Sequence, residues 1–538
     1  MKFKDMTKSD IKLFSEIYRN KDLAWDDRMK SLMDLVGKSE RTVRKWASEK
    51  FKLNESQDSP KSEEYLKAKK RIFDKKKKRF IITWAQNNTP IHKKFFHNLT
   101  EYAKFINADI HVIAGRYRNP TSIWSSEQKE EESWPKEVQS YLDANRHNIH
   151  KYVSIMSDVK VQPTAVNPMT GMHAMSGVNS CIFGSPKLQM EMIPVIEGEK
   201  PKMMLTTGSC TKKNYTDSKA GKKGEFHHVI GFSIVEIEDD ETFYVRQVSA
   251  DDSGNFCDLF NKVDFVDETK KTIIKKIKNI EACILGDLHW GHHDPEIINL
   301  THKMLKKTNP KHVILHDVFD GYSISHHDMK DPFAQYGKEV NGNNDLKKEI
   351  SEMLEGLVPF EKYENVVIVR SNHDDFLDRW VKNEDWKKQP TPKNSPLYMQ
   401  YSAILLKQYA ESPSDIKGII PTIISEKFPK FTTLGRRDSY RVLEWELGQH
   451  GDIGSNGSRG SLLQMRKLNT KIVVGHYHSP GRKDGALAVG TSTHVRVGYN
   501  MGPSSWLQSH VIIHDNGKAQ HINFFKNKKG ESNYTTFK

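Results

Sequence analysis

Cys283-Ile284-Leu285-Gly286-Asp287-Leu288-His289 is an apolar run that opens into residue types able to ligate a metal. The same construction recurs twice. His312-Val313-Ile314-Leu315 leads into His316-Asp317-Val318-Phe319-Asp320, and Val366-Val367-Ile368-Val369-Arg370 leads into Ser371-Asn372-His373-Asp374. Short β-branched apolar runs bounded by polar residues read as strands. In an α/β sheet the carboxyl ends of such strands share one edge, and ligands bind at that edge. Gly448-Gln449-His450-Gly451-Asp452 and Gly475-His476-Tyr477-His478 add two more clusters of the same kind. Each piece alone is ordinarily a turn or a helix cap. Five in this order, three of them behind strand patterns, point to one shared site.

The donors are carboxylate, carboxamide and imidazole, without thiolate. That set suits Mn²⁺, Fe²⁺ or Zn²⁺ in a catalytic site better than a structural zinc. The four cysteines (Cys181, Cys210, Cys257 and Cys283) are scattered and form no CxxC pair, so neither a disulfide framework nor a zinc knuckle is expected. A reducing, cytoplasmic setting follows, which is the host cytoplasm if the protein is phage-encoded.

At 538 residues the chain is long enough for three or so domains of ~150 residues each. A net charge of +14 favours a polyanionic partner, although basic proteins also meet membranes and many bind nothing anionic. No run of ~18 apolar residues is present, so neither a membrane span nor a membrane partner is expected. Met1-Lys2-Phe3-Lys4-Asp5 lacks the apolar core of a signal peptide.

Four segments are expected. Residues 1–55 read as a helical module, with Met29, Leu32, Met33 and Val36 at helical period, a break at Gly37, and Ser39 as N-cap of a second helix from Glu40 to about Phe51. The string from Gly37 to Trp46 is similar to the turn and recognition helix of helix-turn-helix proteins, which implies DNA contacts from Arg41, Arg44 and Lys45. A helical hairpin used for packing or dimerisation is the alternative. Residues 56–79, ending in Lys75-Lys76-Lys77-Lys78-Arg79, read as a charged linker. Residues 80–275 read as an α/β domain of unknown role. It begins with a βαβ unit (strand at Phe80 to Trp84, helix at His92 to Ile106, strand at Ile110 to Ala114) and carries later strands at Val229 to Ile237 and Thr242 to Val248. Between them Thr211 to Gly224 reads as a polar loop. Residues 276–538 hold the ligand clusters.

The order of those clusters resembles the calcineurin-like metallophosphoesterase superfamily over about residues 280–515. The resemblance implies a C-terminal double β-sandwich flanked by helices and two divalent metals ~3.5–4 Å apart, Mn²⁺ foremost, with Mg²⁺, Fe²⁺ or Zn²⁺ as alternatives. It implies Asp287, His289 and His478 on one metal, Asn372, His450 and His476 on the other, and Asp317 bridging both. His373 matches the residue that faces the scissile phosphate, and Asp374 the carboxylate that orients it. The pattern departs from the family at His316 and Ser371, where glycine is usual. SbcD-type nucleases carry a histidine three residues after the bridging aspartate, where this chain has Asp320; His326 and His327 lie close enough in sequence to supply that imidazole.

The activity so implied is a two-metal phosphodiesterase, a DNase, in which a metal-bridging hydroxide attacks the scissile phosphate. The basic balance and the helix-turn-helix-like module favour DNA as partner. A phosphoprotein or nucleotide phosphatase would use the same site, and Asp320 leans that way; a non-catalytic DNA-binding regulator is the third reading. Relatives of the SbcD type imply a homo-oligomer. The motif flavour, including Gly490-Thr491-Ser492-Thr493-His494, resembles phage-encoded metallophosphoesterases, among them a tailed-phage host-takeover DNase.

Overall fold

Alternation along the three apolar runs sets the layering of the C-terminal half. The computed structural model describes residues 5–20, 23, 25–51, 73, 76–116, 133–388, 390–498 and 500–537. The runs form the strands Ala282–Ile284, His312–His316 and Asn365–Val369. They lie parallel, with Cys283 opposite Val313 and Val313 opposite Val366. Thr432–Thr433 extends the sheet on one side, and Ser509–Ile513 followed by Ala519–Asn523 completes six strands on the other.

Successive side chains of a strand point to opposite faces. Cys283, Val313, Leu315, Val366 and Ile368 pack against helices, among them Pro295–Thr308 and Leu346–Leu357. Ile284, Ile314, Val367 and Val369 face the other way, onto Trp445, Val473 and Leu487 of a second sheet. Because both faces are covered, the runs are continuously apolar.

That second sheet has ten strands and draws on two distant stretches of chain. Five strands come from residues 441–488 and five from residues 146–206. They join where Gly481–Lys483 runs antiparallel to Gln189–Ile193, with Arg482 opposite Met190. The boundary expected at 275/276 separates these strands in sequence but not in hydrogen bonding.

The expected βαβ unit is present as Arg79–Gln86, Lys93–Phe105 and Asp109–Gly115, with the two strands parallel. Gly231–Ile237, Phe243–Ser249 and Leu142–Asp143 complete a five-stranded sheet. Its Ile82, Trp84 and Ile113 share a core with Ile155, Ile182 and Leu205 of the ten-stranded sheet. One long sheet thus covers the six-stranded sheet at one end and the five-stranded sheet at the other. The stretch expected to be a loop up to Gly224 instead starts a helix, Lys219–Phe226, because Ser218 accepts a hydrogen bond from the Gly221 amide and caps it.

The N-terminal module is three helices, Lys8–Arg19, Trp25–Val36 and Glu40–Lys45, the last continuing as the π-helical turn Trp46–Lys50. Phe14, Tyr18, Met29, Leu32, Val36, Val43 and Ala47 form its core. Gly37 makes the turn at φ +63°, a left-handed conformation that glycine adopts without strain. Ser39 stands at the N-cap as expected, but its Oγ meets Thr42 Oγ1 at 3.2 Å instead of a backbone amide. Of the expected linker, residues 56–72 and 74–75 lie outside the described residues. All four cysteines are buried and free. Among the described residues no helix is long and apolar enough to cross a membrane.

Candidate metal centre

The strand exits are tied to one another before any side chain is considered. Beyond Ala282–Ile284 the chain keeps step with its neighbour: the Leu288 amide donates to the His316 carbonyl at 3.1 Å and the His289 amide to the Asp317 carbonyl at 2.7 Å. The Asp287 amide donates to the Gly490 carbonyl at 3.2 Å, and the Asp287 carboxylate accepts from the His476 amide at 2.8 Å. Gly475 must be glycine, because a Cβ there would overlap Asp287 Oδ1 and the His316 side chain. Backbone hydrogen bonds thus join the loops at Asp287, His316 and Gly490, and the Asp287 carboxylate adds the loop at His476.

His289 (φ +43°), Asp317 (+45°), His476 (+74°) and His478 (+53°) all hold left-handed backbone conformations. Such residues cost ~1–3 kcal/mol each and persist where the surroundings over-determine them, typically at functional sites. Four of the seven expected ligands carry this strain.

Asp287, His289, Asp317 and His478 converge, with one ligand atom from each within 4.8 Å of the others, and all four are buried. His289 Nε2 lies 3.0 Å from His478 Nε2 and 3.3 Å from Asp317 Oδ2, while His478 Nε2 is 3.1 Å from Asp287 Oδ2. The second expected set adjoins this group through Asp317. His450 Nε2 is 3.1 Å from Asp317 Oδ2, the His450 and His476 rings are 5.3 Å apart, and His476 Nδ1 is 3.1 Å from Asn372 Oδ1.

Asp320 is the residue the sequence pattern undervalues. Its Oδ1 accepts from His289 Nδ1 at 2.9 Å, which leaves His289 Nε2 directed at Asp317 and His478. A carboxylate on the far nitrogen of a ligating imidazole fixes its tautomer and raises its basicity. The backbone carbonyl of Asp320 accepts from His373 Nδ1 at 2.6 Å, and His289, Asp320 and His373 form a second convergent group. Asp374, expected to orient His373, does something else. Its Oδ2 accepts from the Ser371 amide at 2.9 Å, closing the turn at the start of Asp374–Asn383. His326 and His327 do not supply an imidazole to the centre either; they stack on each other at 4.0 Å, and His326 lies edge-on to Phe376 at 4.9 Å.

The electrostatics of the group ask for a cation. Burial opposes ionisation of Asp317, yet His450, His289 and His373 outweigh it and hold its carboxyl well below the usual range. Burial also disfavours charge on His450, but Asp317 raises it to about 9. His289 is held well above its ordinary value by Asp317 and Asp320 against the same burial. Asp320, despite burial, is brought down to about 2 by His289. Asp287 Oδ1, Asp317 Oδ1 and His478 Nδ1 are buried without a hydrogen-bond partner, and His450 Nε2 is off line for one with Asp317. Unmatched buried oxygens and facing imidazole nitrogens are costly in a closed protein core and are what a divalent cation satisfies. The donor set fits the metals that the sequence implied.

The centre opens into a cleft of about 800 Å³ whose lining includes Asp320, Asn372, His373 and His476. Arg41 and Lys45, one helical turn apart, are exposed on the N-terminal module; Arg44 is held by Glu40 at 2.6 Å.

No family model matches the chain, and no solved structure matches it. Protein A1 of Escherichia phage T5 is 30% identical over 475 residues, which span 85% of this chain and 83% of that protein. On that extent of similarity, this chain belongs to the family of phage T5 Protein A1.

Proposed function

We propose that this chain is a divalent-metal-dependent phosphodiesterase that hydrolyses DNA, built on the metallophosphoesterase layout. The observation that carries the proposal is the buried convergence of Asp287, His289, Asp317 and His478 behind a cleft lined by Asp320, Asn372, His373 and His476. Asp287, His289 and His478 would hold one cation and Asn372, His450 and His476 the other, with Asp317 within reach of both sets. When bound, the cations supply Lewis-acid stabilisation of phosphate charge and a nucleophile available at neutral pH.

The protein's own contribution lies in position and protons. The Asp320 carboxylate keeps the proton of His289 on Nδ1, so Nε2 presents its lone pair inward. The Asp320 carbonyl can only accept, so it fixes the His373 proton on Nδ1 and turns Nε2 toward the cleft. Burial lowers the pKa of that imidazole, so Nε2 faces the cleft unprotonated and can give a proton to the leaving oxygen only after taking one up from water there, as a proton relay. Arg41 and Lys45 add sequence-independent phosphate contacts from the helical module.

Purified protein, freed of metal and given Mn²⁺, is expected to cut plasmid DNA, and Asp317→Ala is expected to lose both cleavage and bound metal measured by mass spectrometry. His373→Ala is expected to keep its metal and slow cleavage by ~10²–10⁴-fold. Hydrolysis of p-nitrophenyl phosphate without cleavage of DNA would point to a phosphatase instead.

A further inference from the structure

Every acid lining the cleft is already matched, whereas its arginines have no carboxylate partner among the described residues; Arg379 lies over the Phe376 ring at 5.9 Å. Asp328 is paired with Lys338 at 3.0 Å, Asp452 with Arg436 at 2.9 Å, and Asp320 with His289 at 2.9 Å. Arg379 and Arg459 line the same cleft, are exposed, and form no ion pair among the described residues. They come from different elements: Arg379 from the helix Asp374–Asn383 that follows His373, and Arg459 from the loop between Asp452 and Ser461. The cleft is therefore net cationic beside the metal centre.

It also has an aromatic floor. Phe376 is almost fully buried, stacked under His373 at 4.6 Å, and His326 and His327 sit above it as an exposed pair of rings in mutual contact. Burial and the neighbouring His327 and Arg379 push His326 below its ordinary pKa, so it offers a neutral ring face more than a charge. A volume of about 800 Å³ exceeds what a lone phosphate group fills and is ample for a nucleotide. A base inside a duplex has both faces covered by its neighbours, whereas an unpaired base can stack on a side-chain ring.

We propose that this cleft binds an unpaired nucleic-acid strand, with Arg379 and Arg459 holding the phosphates that flank the metal centre and the His326–His327 pair carrying a base. The proposal deepens the phosphodiesterase reading and rests on the cleft being the approach to its metals. It assigns a strand preference: single strands, frayed ends and gaps over intact duplex.

The test is a binding measurement that needs no turnover. Full-length protein in EDTA is titrated into a fluorescein-labelled single-stranded oligonucleotide and, separately, into a hairpin duplex closed by a non-nucleotide linker so that no base is unpaired, and anisotropy is read at several salt concentrations. For Arg379→Ala with Arg459→Ala, single-strand affinity is expected to fall at least tenfold, and the slope of log affinity against log salt to shrink by ~1.4, the share of two single-strand phosphates. For His326→Ala with His327→Ala, affinity is expected to fall about tenfold with the salt slope unchanged. Hairpin affinity is expected to move less than twofold in both. All four positions are exposed, and an unchanged melting temperature checks that the variants fold. Single-strand affinity that survives the arginine changes, or losses that are equal on the hairpin, would overturn the proposal. If the wild type cleaves no nucleic acid with any cation while the binding pattern holds, the phosphodiesterase reading fails and the strand-binding cleft stands. Cleavage by the wild type with a flat binding pattern sinks the strand-binding cleft and leaves the phosphodiesterase standing.

Discussion

Among the described residues, two of the clusters of buried charge are built on opposite plans. In the middle of the chain Arg246 grips Asp258 through Nε and Nη2 at 2.6 and 2.8 Å and pairs with Glu236 through Nη1. Tyr102 and Gln520 donate to the remaining capacity of Asp258 at 2.7 and 2.9 Å, and Thr535 and the Thr536 amide do the same for Glu236 at 2.9 and 2.8 Å. Every carboxylate oxygen there has a donor. At the candidate metal centre Asp287 Oδ1 and Asp317 Oδ1 have none, and imidazole nitrogens face one another. Burial is equal in the two places, so burial does not mark function. What differs is closure: one cluster is complete within the protein, the other is complete only with a guest.

Breaking the closed cluster should have the largest effect. Arg246→Met leaves two carboxylates buried without their cation, and losses of that kind run to ~3–5 kcal/mol. Chemical denaturation in the presence of EDTA measures it. The pH dependence sharpens the point. Burial opposes ionisation of Glu236 and Asp258, yet Arg246 outweighs it and lowers both below their ordinary values of 4.5 and 3.8. A depressed folded pKa adds stability that is present above the ordinary value and is lost as pH falls through the folded one. The wild type therefore keeps this contribution from neutral pH down to about pH 4. Without Arg246 burial is opposed only by the hydrogen bonds from Thr536, Tyr102 and Gln520 and by Arg79, 3.6 Å from Glu236, so the folded pKa values rise and lowering the pH relieves the variant. The gap between the two melting temperatures should narrow from pH 7 to pH 5; a constant gap would mean that the arginine acts through packing and not charge.

The open cluster should behave the other way. Asp317→Asn in EDTA is expected to cost much less than Arg246→Met, because His289 and His450 can shed the protons that Asp317 stabilises. Its penalty appears on adding metal. A ligand at 100 times its dissociation constant stabilises the folded state by ~2.7 kcal/mol, and the variant should forgo that gain. A melting temperature that rises equally with Mn²⁺ in wild type and Asp317→Asn would place the metal elsewhere. Next in size comes Asp320→Asn, which frees the tautomer of His289 and should weaken metal binding ~10–100-fold, read by competition with a chelating dye.

Asp320 also shows where the sequence stops being legible. The three strand exits announced themselves, because strands covered on both faces need unbroken apolar runs and end in polar tips at one edge. Asp287, His289, Asp317 and Asn372 could thus be placed at one edge, whereas the grouping of His478 with them came from the family resemblance. Asp320 offered only an offset of three from Asp317; its reach to both His289 and His373 depends on the turn at Gly321, φ +73°. Asp374 misled for the same reason, since adjacency to His373 in sequence hid that its carboxylate closes the Ser371 turn. The ten-stranded sheet was hidden more deeply. Gly481–Lys483 is three residues long, too short for a pattern, and its partner Gln189–Ile193 lies some 290 residues away.

The smallest effect belongs to a third kind of charge, neither closed nor open but solvated. Arg44 bonds Glu40 across one helical turn at 2.6 Å, and both side chains remain 40% and 47% exposed. Pairs of this sort contribute ~0.3–0.5 kcal/mol, so Arg44→Ala should barely move the stability of the helical module. Arg41 and Lys45 line the same helix and are exposed, and their replacement by alanine should be equally silent in melting experiments. If the module contacts DNA, that silence separates binding from folding. Duplex affinity should then fall for Arg41→Ala with Lys45→Ala, with a salt slope reduced by ~1.8 for two phosphates, while the Arg379 and Arg459 changes leave it alone. Equal duplex affinity in wild type and variant would make the module a packing element, and the cationic cleft would be left to recruit the substrate by itself.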